Sequence, residues 1–373
     1  MSVPLRHTAL YSFHVSHKAR MVPFAGYHMP IHYPRGLLHE HLHTRSAASL
    51  FDVSHMGSFE VWGADRYKFF QWLTPSAVAG LPDGNAVLTL FLNESAGVKD
   101  DCIVSKYTDR LLVVVNAGSK EKIMSHVREQ LAEFKGDATI VELDRAMLSL
   151  QGPHAAAVMA PFVEELEKLF FMQTRRSISV QGMDVTLTRC GYSGEDGFDI
   201  SVPHEHAVQF AELLLQNPAT ELAGLGARDS LRTEAGLCLY SQELSEEISP
   251  VEARLMWSIP KSRMKEGGFI GHDRLKTLVQ RTEELVPRIR MGIISIAKGP
   301  VGRTGTPILH DKAVVGEVTS GVPSPTLGRN IAMGYIDRAK ARVGQHVELD
   351  VRGKRVPGEL TLPRFVPLRY YKG

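Results

Sequence analysis

The stretch that most constrains this chain is Thr188–Ile200, TRCGYSGEDGFDI. Val185 and Leu187 lead into it with apolar alternation, and Phe198–Val202 reads as a strand on its far side. Between them Gly191, Gly194 and Gly197 recur at every third position, a turn too open for a plain hairpin, with backbone able to approach a flat ligand closely. Glu195 and Asp196 stand at its tip. A carboxylate there can accept two parallel N–H bonds from a planar heterocycle presenting an amide N–H beside an exocyclic amine. The same residues also fit a surface turn with solvated acids. Further on, GLGARDSLRTEAGLCLY (Gly224–Tyr240) predicts a short helix over Arg228–Glu234 that stops near Gly236. An arginine so placed could steer the loop carboxylate or hold an anionic tail.

Upstream, residues 1 to 55 carry nine of the sixteen histidines. His39-Glu40-His41-Leu42-His43 matches H-E-x-x-H, which in zinc proteases puts two imidazoles on one helix face. In so histidine-rich a segment a solvated helix face accounts for the pattern better. MVPFAGYHMPIHY (Met21–Tyr33), interrupted by Pro23, Gly26 and Pro30, reads as an irregular connector. FDVSHMG (Phe51–Gly57) then leads into a strand over Ser58–Trp62, and Met56 suits either a pocket floor or core packing.

From there to Leu143 the periods alternate: a helix near Asp65–Leu73, strands at Ala86–Leu92, Asp101–Ser105 and Leu111–Val115, and a helix over Ser119–Phe134. Gly97 turns the chain just before Asp100 and Asp101, which point to opposite sides if the strand has begun, so that one of them faces inward. A carboxylate held there beside a pocket can orient an amine or stabilise a cationic centre. Asn116 closes LLVVVN at a strand end, where pockets gather specificity contacts. After Gln280–Pro287 the chain becomes a series of short strands separated by Gly, Pro and Asn, which suggests a β-barrel or sandwich.

At 373 residues the chain can bury a large core and divides into two or three domains. A net charge of +2 carries no nucleic-acid signal. Basic residues do gather at both ends: no acid precedes Glu40, and the tail from Arg338 is rich in Arg and Lys, so an acidic partner could meet them. Three widely separated cysteines offer neither a disulfide framework nor a zinc spacing. No apolar run reaches the ~18 residues a membrane span needs. No dinucleotide fingerprint, Walker loop or nucleophile elbow occurs.

Taken together, MVPFAGYHMPIHY, FDVSHMG, GVKDDCIV, VVNAG, GYSGEDGFDI, GLGARDSLRTEAGLCLY, ISPVEARLMWSIP, VTSGVPSPTLGRNIAMGYI and FVPLRYY resemble the aminomethyltransferase family, the T-proteins of the glycine cleavage system, over nearly the whole chain. The resemblance implies an α+β fold of three β-rich domains in a cloverleaf. Two are α+β domains with largely antiparallel sheets, and the third is a C-terminal β-barrel or jelly-roll-like domain. The expected boundaries are 1–55 with 145–280 for a discontinuous folate-binding domain, 56–144 for the domain carrying the catalytic aspartate, and 285–373 for the barrel.

By motif position Asp100 resembles the catalytic acid. Glu195, Arg228 and Tyr370 resemble folate contacts, with Asn116, Leu88 and Met56 at pocket-lining positions. Where the family has two glycines and an apolar residue before the acids, this chain has Ala96, Gly97, Val98 and Lys99. Lys99 either depresses the neighbouring carboxylate's pKa or faces solvent. The implied reaction takes the one-carbon unit from the aminomethyl-dihydrolipoyl arm of H-protein to tetrahydrofolate, a co-substrate, giving 5,10-methylenetetrahydrofolate and ammonia. No metal, nucleic acid or membrane takes part. The implied compartment is the mitochondrial matrix, or the cytoplasm for a bacterial source. The alternative is a folate-binding iron-sulfur assembly factor, but its K-G-C-Y-x-G-Q-E stretch is replaced here by Arg189–Asp196.

Overall fold

The structure, a computed structural model, describes residues 4–373. It is mixed α+β, with two open sheets, a two-stranded ribbon and a closed barrel. The first sheet has six strands in the order Thr174–Val180, Met183–Thr188, Gly197–Pro203, Arg145–Gln151, Ala48–Asp52 and Thr220–Leu222. All its neighbours are antiparallel except the last pair. The second sheet has five strands in the order Ala86–Leu92, Val98–Lys106, Leu111–Val115, Gly57–Trp62 and Thr139–Glu142. Six antiparallel strands between Arg288 and Thr361 form the barrel, closed where Arg288–Ser295 meets Lys354–Thr361.

Each open sheet buries one face under helices. Phe198, Ile200 and Val202 pack against Phe210 and Leu214 of the helix Ala207–Leu215. Phe59, Val61 and Val113 pack against Phe69, Phe70, Leu73, Ile123 and Val127. Because side chains alternate along a strand, the residues between these face the other way. On the second sheet Gly57, Val115 and Cys102 stand opposite one another. Met56, Asn116 and Asp101, one step outward on each chain, therefore come side by side on the uncovered face. On the first sheet Thr188, Asp199 and Ser149 form a cross-strand row, followed by Thr186, Ser201 and Met147.

Three local expectations change. Met21–Tyr33 is not an irregular connector: Arg20–Phe24 and Tyr27–His32 pair as an antiparallel ribbon. Ala25 and Gly26, at φ 47° and 81°, make the two-residue turn that suits a hairpin. Both prolines are tolerated because a two-stranded ribbon has only edges. The H-E-x-x-H segment lies on the helix Gly36–Ser46, but Glu40 and His41 are buried rather than solvated. Glu40 accepts from the backbone N–H of Tyr33 (2.5 Å) and Gly224 (2.9 Å), and His41 Nδ1 meets Ser230 Oγ at 2.7 Å. The helix packs on another helix, Leu225–Ala235, whose inward side is itself polar, so polar residues became the buried ones. Finally, the left-handed residue of the turn before Asp100 is Ala96 (φ 60°). Gly97 is required instead by close approach, since a Cβ there would lie 1.7 Å from Glu246 O.

Candidate functional site

The uncovered faces of the two open sheets enclose a cavity of about 1630 Å³, completed by the start of the helix Leu225–Ala235, part of the barrel and the C-terminal segment. Met56, Leu88, Asn116, Arg228 and Tyr370, all expected at a pocket, line it. So do Asp101 and Asp199. Asp100 and Glu195 do not.

On the strand Val98–Lys106, Asp100 shares its face with Cys102 and Val104, which belong to the buried core. Asp100 is 0% exposed, and it accepts from the backbone N–H of Asn116 at 3.1 Å and from Asn116 Nδ2 at 2.9 Å. Asp101 is on the other face with Ile103 and Ser105, all three lining the cavity. Its carboxylate accepts from the same Asn116 Nδ2 at 2.9 Å. Burial pushes both carboxyls up from the usual range, and for Asp100 the neighbouring Asp101 adds to the rise. Lys99 offers neither of them a charge; its Nζ lies 3.8 Å from Glu246.

The glycine loop is organised around a side chain rather than a ligand. A Cβ on Gly191 or Gly197 would come within 2.0 Å or 2.5 Å of the Gln151 amide. Gln151 Nε2 donates to Cys190 O at 3.0 Å, and Ser193 Oγ donates to Gln151 Oε1 at 2.7 Å. At the tip Glu195 is turned away from the cavity. Arg45, from the helix Gly36–Ser46, donates to Glu195 Oε1 (2.9 Å), Ser193 O (2.8 Å) and Glu234 Oε2 (2.7 Å). Glu195 and Asp196 border a small outer crevice with Pro153, Arg369 and Tyr371, and Asp196 is held bidentately by Arg189 at 2.9 and 2.5 Å.

The acid that does face the cavity from this region is Asp199, two residues into the strand that leaves the loop. Ser149 Oγ donates to it at 2.6 Å and Cys190 Sγ at 3.4 Å. Burial raises its pKa, and the Arg228 guanidinium opposes that rise. Arg228 reaches over the Tyr192 ring, 4.8 Å from its centroid. Burial lowers its proton affinity while Asp199 supports it. Among the described residues no carboxylate pairs with Arg228 within 4.0 Å, so its N–H donors are available to a ligand. Asp199 and Arg228 together thus present an acceptor pair beside a donor fork, the complement of a planar ring edge bearing N–H, NH₂ and C=O groups.

Opposite them, Asp101 and Asn116 supply a carboxylate and an amide beside Leu88 and Met56. Tyr370 stacks on Phe171 at 4.0 Å between centroids, with planes 5° apart, and borders both the cavity and the outer crevice. Trp257, 70% exposed, also borders the cavity and marks its rim. Sequence reasoning passed over Asp199, though Phe198, Ile200 and Val202 on the core side give the signal that places it opposite. It also passed over Tyr192, Gln151 and Arg45, which no local pattern singles out. Among the described residues no group of three or more His, Cys, Asp or Glu side chains is arranged to hold a metal ion.

Residues 10–263 match the family described as the GCVT N-terminal domain, and residues 288–367 match the glycine cleavage T-protein C-terminal barrel domain. The mitochondrial aminomethyltransferase of Pisum sativum is 44% identical over 99% of this chain and 91% of its own length. That of Dictyostelium discoideum is 41% identical over 99% of this chain and 94% of its own. The crystal structure of glycine cleavage system aminomethyltransferase T from Bartonella henselae superposes with a TM-score of 0.92 at 35% identity, covering 99% of this chain and 100% of that one.

Proposed function

The chain belongs to the glycine cleavage T-protein family and is an aminomethyltransferase of that system, and from that premise we propose how the central cavity is used. Tetrahydrofolate is the acceptor. Its pterin edge lies between Asp199 and Arg228, and its N5 and N10 face Asp101 and Asn116. The observation that carries this reading is the pairing across one cavity of an acid beside an unpaired guanidinium with a carboxylate joined to an amide. Asp101, not Asp100, is the acid in reach of reacting atoms, and Asp199, not Glu195, takes the pterin.

The donor is the aminomethyl group on the dihydrolipoyl arm of H-protein, which enters past Trp257 at the rim. Loss of the amine leaves an electrophilic, sulfur-stabilised carbon for N5 to attack, and N10 closes the ring. Asp101 orients the attacking nitrogen and stabilises positive charge as it develops, while the apolar walls at Leu88, Ile103 and Met56 exclude water. The products are 5,10-methylenetetrahydrofolate, ammonia and reduced H-protein. We place it in the mitochondrial matrix, and the plant and slime-mould relatives, named as mitochondrial, support that reading; among the described residues no helix is long and apolar enough to cross a membrane.

The test is turnover with aminomethylated H-protein and tetrahydrofolate, together with folate titration of the wild type and Asp199→Asn. Product formation with folate affinity that falls in the variant is expected. Unchanged affinity would move the pterin elsewhere.

A further inference from the structure

Resting on the aminomethyltransferase reading, we propose that Asp100 and Asp101 act as one proton-holding unit. Asp100 is its buried positioning residue, keeping the cavity-facing carboxyl of Asp101 able to give and take a proton at neutral pH.

The geometry is a single amide nitrogen between two acids. Asn116 Nδ2 lies 2.9 Å from Asp100 Oδ1, 2.9 Å from Asp101 Oδ1 and 3.0 Å from Asp101 O. Three acceptors share two hydrogens, so a further proton at this point relieves the shortage. No cation balances the pair: among the described residues neither carboxylate has a Lys, Arg or His within 4.0 Å, and the lysines of this region, Lys99 and Lys122, both turn to Glu246.

The groups around the pair bring no charge. Leu90 and Phe91 stand beside it on the adjoining strand. The Ser119 hydroxyl, at the start of the following helix, donates to Asn116 O at 3.2 Å and is neutral. The Cys102 thiol is next along the chain, and the Tyr192 hydroxyl and Cys238 thiol face Asp101 across the cavity, all with pKa values raised by burial and so neutral. Two carboxylates that share one amide donor and have no cation beside them ionise less readily than either would alone, so the pair keeps a proton to higher pH than a free carboxyl does. In keeping with that, burial carries Asp100 to about 7 and Asp101 to about 6.

The chemistry calls for such a unit. The transfer breaks the carbon's bonds to nitrogen and sulfur and forms two to folate N5 and N10. The two protons lost from N5 and N10 equal the two gained by the departing amine and the thiolate, with no oxidant or reductant. A carboxyl pair holding one proton can give it to the leaving amine, take one back from N5, and repeat the exchange for sulfur and N10.

The test is the pH dependence of kcat from pH 5 to 9 for the wild type and Asp100→Asn. The wild type is expected to show an acidic limb centred at about pH 6 to 7, which moves down by about one unit or more when the buried charge is removed. The folate KM should stay within about twofold. A limb that does not move, or a KM change without a pH shift, overturns the proposal and leaves Asp100 structural. If Asp100→Asn does not fold, NMR titration of the wild type and Asp101→Asn, each carrying ¹³C-carboxyl aspartate, decides: a carboxyl that ionises above about pH 5.5 in the wild type and is missing from the variant supports the unit, and the absence of any such signal overturns it. A wild type that titrates this way but transfers no aminomethyl group would overturn the functional reading while the carboxyl pair stands.

Discussion

Arg45 Nη1 donates to Glu195 Oε1 at 2.9 Å while its Nη2 donates to Glu234 Oε2 at 2.7 Å, so one guanidinium ties the tip of the glycine loop to the helix Leu225–Ala235. Both carboxylates are almost wholly buried, at 2% and 0% exposure. Removing Arg45 leaves Glu195 with only the more distant Arg369, at 3.6 Å, and Glu234 with the His41 ring, at 3.2 Å, where water barely reaches. Arg45→Ala should cost about 3–5 kcal/mol of stability, measured by denaturant unfolding.

Glu195 follows as a contrast. It borders the outer crevice rather than the cavity. Glu195→Gln should leave folate affinity within about twofold of wild type, while lowering the melting temperature. A marked loss of affinity in a well-folded variant would return Glu195 to the pterin.

Asp199→Asn turns an acceptor pair into one donor and one acceptor where we place the pterin edge. It should weaken folate binding by about 1–3 kcal/mol, read by calorimetry, and affect turnover at saturating folate far less.

Asp101→Asn keeps the shape of the site and removes the cavity-facing carboxyl to which we assign proton exchange. Turnover should fall by about 10²–10⁴-fold with folate affinity retained, measured in the H-protein-coupled assay. An active variant would reject Asp101 as the acting carboxyl.

Acid stability separates two opposed effects. Burial lowers His126 to about 4, so below its ordinary pKa of about 6.5 the unfolded chain takes up a proton that the fold resists, and stability is lost as pH falls. The raised carboxyls of Asp100 and Asp101 act the other way: the fold holds protons the unfolded chain has released, so they add stability as pH falls over much the same window. The wild-type profile therefore conceals both. His126 packs edge-on against Phe91, and its Nε2 is buried without a hydrogen-bond partner. His126→Phe should gain about 2 kcal/mol over wild type on going from pH 8 to pH 5, measured by denaturation at both.

Much of this was legible in the chain. The helices near Asp65–Leu73 and Ser119–Phe134 and the strand Leu111–Val115 occur as Arg66–Leu73, Lys120–Glu133 and Leu111–Val115, because their apolar residues keep one period. The short strands after Pro287 close into a barrel. What the chain alone did not show was which of two neighbours reaches the cavity. Motif position favours Asp100, but Cys102 and Val104 beyond it join the core, which sends Asp101 to the cavity. The alternation was readable, yet Ile103 is apolar as well, so the two faces looked alike. Glu195 drew notice as the acid of the glycine turn, while Asp199 sat within a strand whose alternate residues go to the core. Arg45 and Gln151 are legible only in space, since their partners lie 150 and 39–42 positions away.

The second sheet is drawn from one continuous piece of chain, Gly57 to Glu142, whereas the first must bring Ala48–Asp52 against Arg145–Gln151 and Thr220–Leu222. Local pairings close faster than distant ones, and domains form as they emerge during synthesis. The wall bearing Asp101 can thus be finished early, while the wall bearing Asp199 waits for the chain on both sides of it. During that interval the nascent protein has one wall of its cavity and nothing facing it.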